Sequence, residues 1–200
     1  TGVLTRGNFR HSDDSIIPAF RKITEPVRNA GAVILQQLYH IGAHGDSDLS
    51  FAPHWSPSGA PSYHDSDGSH RMTEAEIEEL IAAHIAAAVR CRDAGFQGVE
   101  VWAAYHSLLD QFWTPWSNKR TDRWGGSLEN RTRLSRSIIE GIRRAARFLE
   151  VARAVSRKKP IVAQYVGGTE AGARSGSSHT GALAGPDYVY DGLFEQAGII

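Results

Sequence analysis

Cysteine is nearly absent: Cys91 is the only one in 200 residues, so no internal disulfide can form and a disulfide-framework fold is excluded. A lone thiol fits a reducing compartment, and cytoplasm is the expected location. Long apolar runs are missing as well. The longest nearly apolar stretch, Ile81 to Val89, is broken by His84 and falls far short of the roughly 18 to 20 residues a bilayer span requires. Neither sign of charge is in excess, with 22 Lys and Arg against 22 Asp and Glu. What is present is 41% apolar and 9% aromatic material, enough for a buried core, which excludes the disordered and collagenous classes. The chain opens on Thr1 with no charged-then-apolar leader, and reads as trimmed or taken from a longer frame.

The balanced charge is unevenly placed. Lys119 to Lys159 holds 13 basic residues against four acids, and Asp46 to Glu100 holds ten acids against three basic residues, so the two regions should attract each other. The arginines of the basic region recur at helical spacing among leucines and isoleucines, as on a solvated helix face, and no nucleic-acid motif accompanies them. Nucleic acid is therefore not an expected partner.

Apolar periodicity predicts a helix over Ser15–Asn29 with Ile16, Phe20, Ile23 and Val27 on its inner stripe and Pro26 as a kink or early stop. Ala32–Tyr39 reads as a strand buried on both faces, as in a parallel sheet. About thirty aperiodic residues follow, long for a connection and so a candidate functional loop. Thr73 and Glu76 make a capping-box pattern for a helix with Ile77, Leu80, Ile81, His84, Ala88 and Cys91 inward, closed by Gly95. Gly98–Ala103 alternates as a second strand; then comes an irregular stretch, and Ser127 caps a helix carrying Leu128, Leu134, Ile138 and Ile142. A helical pattern from Arg147, a strand over Ile161–Val166, six glycines between Gly167 and Gly185, and a short helix from Asp187 continue the same grammar. This is repeated β/α architecture, which places chemistry in the loops after the strands.

Gln37, at a strand end, offers a paired donor and acceptor to a heterocycle edge or simply caps the strand. Of the five histidines from His40 to His70, only His40 and His44 share helical spacing, in a stretch with no helical pattern, and no metal site is expected.

Residues 95 to 134 read GFQGVEVWAAYHSLLDQFWTPWSNKRTDRWGGSLENRTRL, residues 37 to 42 read QLYHIG, and residues 72 to 96 read MTEAEIEELIAAHIAAAVRCRDAGF. In order and spacing they resemble the old yellow enzyme and NADH:flavin oxidoreductase family, with its strand ending in VEI or VEV, its LLxQFxxPxxNxRTDxYGGSLENR motif and its QLxHxG. The resemblance covers residues 1–146. It implies an eight-stranded barrel that binds FMN, is reduced by NADH or NADPH, and passes hydride from flavin N5 to an acceptor. By the same resemblance Gln37 binds the pyrimidine edge of the flavin. Trp102 and Tyr105 stand at the catalytic positions where the family's ene-reductases place a His and a His or Asn to grip a substrate carbonyl, and Ser107 stands where the proton-donating Tyr is usual. None of the three matches, which speaks against ordinary enone reduction. An aromatic pair instead resembles the amine-oxidising branch, where rings pack against an alkylated nitrogen through cation–π attraction; plain packing is the other reading. NKRTDRWGGSLENR is expected to be structural, with Asp122 and Glu129 pairing with arginines and Gly125 and Gly126 making a tight turn.

Residues 147–200, and SHTGALAG above all, resemble an NDP-forming acyl-CoA synthetase of the succinyl-CoA synthetase superfamily. That resemblance implies a catalytic phosphohistidine at His179 in a glycine-rich anion nest. The expectation is thus an α/β chain, a partial (β/α)8 TIM barrel over 1–146 followed by a flavodoxin-like α/β fragment over 147–200. Its expected function is FMN-dependent oxidoreduction of a small molecule, impaired by the short barrel unless a completing chain or homo-oligomer supplies the rest. The alternatives are the phosphohistidine synthetase fragment and an inactive fusion.

Overall fold

The computed structural model describes residues 11–45, 53–61 and 68–147. The helix α1 (Ile16–Asn29) continues past Pro26 to Asn29 rather than stopping there, and Ala30 N–H closes its last turn on Pro26 O. Its buried stripe is Phe20 and Thr24, whereas Ile23, expected inside, is 44% exposed. The helix is rolled to bring Thr24 Oγ1 onto Ala94 O at 2.6 Å, and that buried hydrogen bond, with Phe20 packed edge-on against Phe96, sets the inner face in place of Ile23.

The strand β1 (Leu35–Leu38) is half the length expected, and it is not buried on both faces: Val33 and Leu35 are 46% and 43% exposed. Among the described residues it has one neighbour, β4 (Gly98–Val101), paired in parallel with Leu35 opposite Gly98 and Leu38 opposite Val101. The stretch expected to be a long aperiodic loop carries a 3-10 turn over Gly42–His44 and a short parallel pair, β2 (Trp55–Ser56) with β3 (His70–Arg71).

The helix α2 (Glu74–Asp93) starts as the pattern predicts. Thr73 Oγ1 accepts from Glu76 N–H, the Glu76 carboxylate accepts from Thr73 N–H, and all six expected stripe residues are buried, joined by Ala87. After β4 a short helix, α3 (Leu108–Trp113), occupies what reads as irregular in sequence, since six residues are too few to display a helical period. The helix α4 (Leu128–Ala146), capped by Ser127, lies along α2 with Leu134, Ile138 and Ile142 in the core, while Leu128 in its first turn is 45% exposed. A side chain at Gly141 would overlap Ile85, so the two helices meet this closely only because Gly141 lacks a Cβ. The acidic and basic regions do meet here, with Arg123 within 2.5 and 2.8 Å of Glu74 and Glu78.

Candidate functional site

Strand alternation splits the β1–β4 pair into two unlike faces. Leu38, Val99 and Val101 turn to the core under α2. Gln37 and Glu100, opposite each other in the parallel register, turn the other way, and Gln37 Nε2 donates to Glu100 Oε2 at 3.2 Å. The ladder extends one residue past the strand through Trp102 N–H to Leu38 O at 2.9 Å, so the alternation places Trp102 on the Gln37 side.

Glu100 lies in the VEV strand end that the sequence marks out, but no role is assigned to it there. Its Oε1 is buried and has no hydrogen-bond partner, and burial pushes the carboxyl above its ordinary value, opposed by the bond from Gln37. The signal for it was one charged residue at an alternate position of an otherwise apolar strand, GVEVWA; its pairing with Gln37 is set by register alone.

Beyond β4 the chain turns sharply. Tyr105 and His106 both take left-handed backbone angles, φ 52° and 57°, a conformation that costs a non-glycine residue roughly 1 kcal/mol or more and must be held in place. Asp110 holds it, with Oδ2 accepting from His106 N–H at 2.9 Å, and Gln111 Nε2 donates to His106 O. The same Gln111 side chain accepts from Ala43 N–H at 3.1 Å and donates to Ile41 O at 3.3 Å, tying the loop after β1 to the loop after β4. Gly42, at φ 71°, leaves the room: a Cβ there would strike the Gln111 amide. The outcome is that Trp102 and Tyr105 lie as parallel rings, 6° apart in orientation with centroids 5.9 Å apart, and Tyr105 is 62% exposed. Ser107 is buried, its hydroxyl within 3.5 Å of Trp102 O.

The NKRTDRWGGSLENR stretch acts as a brace. Arg120, buried, donates to Pro57 O at 2.9 Å, to Met72 O at 2.6 Å and to Asp122, while Asn118 Nδ2 bridges Phe112 O and Trp124 O. Burial would raise the Asp122 carboxyl, but the bonds from Arg120 and Trp124 N–H outweigh it and hold it below its ordinary value. No group of three or more metal-ligating side chains occurs among the described residues. A cavity of about 410 Å3 lies against α1 and the start of β1, lined by Glu25, Arg28, Val33 and Gln97 among others, at the amino ends of the strands and away from Gln37. The structure thus brings Gln37, Trp102 and Tyr105 to the carboxyl ends of two adjacent strands, while His179 lies outside the described residues.

Parallel strands that alternate with helices and present an amide, a carboxyl and stacked rings at their carboxyl ends define a β/α protein with its site on the loop side. The NADH:flavin oxidoreductase / NADH oxidase family matches residues 1–171, and the chain belongs to that family. The match passes residue 146, the boundary by which the sequence reading divides the chain. The chain is 38% identical over 139 residues to a metal reductase of Desulforamulus reducens, covering 70% of this chain and 21% of that protein. It is 36% identical over 138 residues to the N,N-dimethylglycine/sarcosine dehydrogenase of Chromohalobacter salexigens, covering 66% of this chain and 19% of that protein. Among solved structures, the old yellow enzyme homologue from Zymomonas mobilis superposes with a TM-score of 0.67 at 30% identity, covering 72% of this chain and 43% of that one. The chain therefore spans about a fifth of the length of these two curated relatives. No described helix is long and apolar enough to cross a membrane.

Proposed function

We propose that the chain carries the Gln37 side of an FMN site in a (β/α)8 barrel and belongs to an oxidoreductase that uses NADH or NADPH to act on a small-molecule substrate. The observation that carries this reading is the placement of Gln37 and Glu100 in register on the face that also presents Trp102. An amide offers one acceptor and two donors, and the carboxyl beside it has a buried, unpartnered oxygen; that set suits a flat heterocycle whose edge alternates N–H and C=O. When bound, FMN supplies hydride transfer between a nicotinamide and an acceptor. Gln37 orients the heterocycle edge, and Trp102 with Tyr105 walls the substrate side. A yellow colour with flavin absorbance in the purified protein, or quenching of FMN fluorescence on titration, tests the reading; absence of both, or unchanged binding in Gln37→Leu, rejects it.

A second reading of the substrate rests on the stacked Trp102–Tyr105 pair. The exposed Tyr105 ring, stacked on the half-buried Trp102, attracts a cation, and Ser107, turned toward Trp102 O, is not offered as a proton donor to an enone. The relative from Chromohalobacter salexigens is named for dehydrogenation of methylated amines, which favours an alkylated amine as reductant. Anaerobic bleaching of the flavin band by a tertiary amine, with no turnover of an enone, is the expected result.

A competing reading keeps 147–200 as a flavodoxin-like acyl-CoA synthetase fragment with a phosphohistidine at His179. Incubation with labelled acyl phosphate and mapping of the label to His179 supports it; no label removes it. The buried Cys91 thiol is consistent with a reducing, cytoplasmic setting. A completing chain or a second copy is the proposed partner, to be read from the solution mass.

A further inference from the structure

Glu100 is the one charged side chain on the face of the β1–β4 pair that carries Gln37, and its effect on the Gln37 amide itself is a separate matter from the heterocycle edge. It faces Gln37 across the parallel register, accepts a hydrogen bond from Gln37 Nε2 on Oε2 at 3.2 Å, and keeps Oε1 buried without a partner. We propose that Glu100 is a positioning residue that sets which way the Gln37 amide faces, and so decides which hydrogen-bonding edge the site shows to a flat heterocycle. The flavin part of this inference rests on the FMN reading; the coupling between the two side chains does not.

The argument is one of donors and acceptors. An ionised carboxylate is acceptor-only. Turning the Gln37 amide over would set its carbonyl oxygen against Glu100 Oε2, two acceptors face to face, so ionised Glu100 permits one orientation. A protonated carboxyl carries one O–H and accepts either orientation, because it can donate to the amide oxygen or accept from the amide nitrogen. The preference is therefore switched by one proton on Glu100. The side chains with an ionisable group that alternation puts on this face are Glu100 and Tyr39. The Leu35–Leu38 strand beside Glu100 has no charged residue, and α2 packs against the opposite face. Burial then the Gln37 bond are what move the Glu100 carboxyl, upward on balance, so its titration falls above the ordinary glutamate range.

The test has two arms on the full chain. Without flavin, the side-chain amide resonances of Gln37, assigned by their loss in Gln37→Leu, are followed from pH 8 to 4.5 in the parent and in Glu100→Gln. The expected result is a single-midpoint shift in the parent that vanishes in the variant; resonances that do not move, or that move equally in Glu100→Gln, overturn the proposal. In the second arm riboflavin, which lacks a titrating phosphate, is titrated by fluorescence quenching over the same range. The parent should weaken by about twofold as Glu100 protonates, because the competent amide orientation falls from all to about half of the population. Glu100→Gln, which tolerates both amide orientations, should bind weakly at every pH with no slope across this range. A slope that persists in Glu100→Gln also overturns the proposal. Failure of riboflavin and FMN to bind the parent at any pH removes the flavin reading, and the resonance arm then decides the Glu100–Gln37 coupling alone.

Discussion

The guanidinium of Arg120 lies 2.7 Å from the Asp122 carboxylate while its own side chain is 3% exposed, so a charge buried inside the fold is balanced by one at the surface, which is 40% exposed. Arg120 also satisfies Pro57 O and Met72 O, which end the two short strands β2 and β3. Replacing it by Leu strands both carbonyls and leaves Asp122 with Trp124 N–H but without its ion-pair partner, and should destabilise the chain by roughly 2 to 4 kcal/mol. Lysine should not rescue it, because one ammonium cannot reproduce the planar fork that reaches Pro57, Met72 and Asp122 together. Urea denaturation of the two variants decides this, and a Lys variant with parent stability would contradict it.

Acid should loosen the fold through His40. Burial, then the neighbouring His84 and His54, lower its imidazole from 6.5 to about 3, and its Nε2 is buried without a hydrogen-bond partner. The folded chain holds His40 neutral whereas the unfolded chain protonates it near pH 6.5, so the stability it confers is complete above that pH and drains away as the pH falls toward 3. The slope is bounded by about 1.4 kcal/mol per pH unit. His84 is lowered by burial in the same sense, so His40→Phe should flatten the dependence between pH 6.5 and 4.5 without abolishing it. Equal slopes in parent and variant would rule His40 out as a cause.

Gln111 is expected to matter more for the site than for the core. Gln111→Leu removes the bonds to Ala43 N–H and to Ile41 O that join the loops after β1 and β4. A loss of about 1 to 3 kcal/mol should accompany a change in the tryptophan emission of Trp102, whose stacking partner Tyr105 sits in the released corner. Unchanged emission would place the hold on that corner elsewhere, with Asp110 the next residue to replace.

The capping box at Thr73 should behave locally. Thr73→Ala removes the acceptor for Glu76 N–H and should cost about 1 kcal/mol, with no effect on flavin titration. A larger loss, or any change in flavin affinity, would mean that the start of α2 is coupled to the site.

Local signals carried much of the fold. The Thr73–Glu76 box and the Ser127 cap each lie within one turn of chain, the α2 stripe within one helix, and all three hold as the pattern predicts. Where a residue's neighbour lies far along the sequence, the pattern misleads. Ile23 is apolar and correctly spaced, yet Thr24 takes the inside because Ala94 O is there to receive its hydroxyl. Leu128 is likewise on the predicted stripe but sits in the first turn of α4, beyond the reach of α2.

By itself the sequence determined the β/α order, the caps, the family and the candidates Gln37, Trp102 and Tyr105, because periodicity, capping and motif spacing are properties of neighbouring residues. Only the tertiary structure decided that Glu100 stands opposite Gln37, that Gln111 ties two loops together and that Trp102 and Tyr105 stack. The first two join residues 63 to 70 apart in the chain, and the third needs the left-handed turn at Tyr105 and His106 that Asp110 and Gln111 hold, so no local pattern encodes which residues will meet.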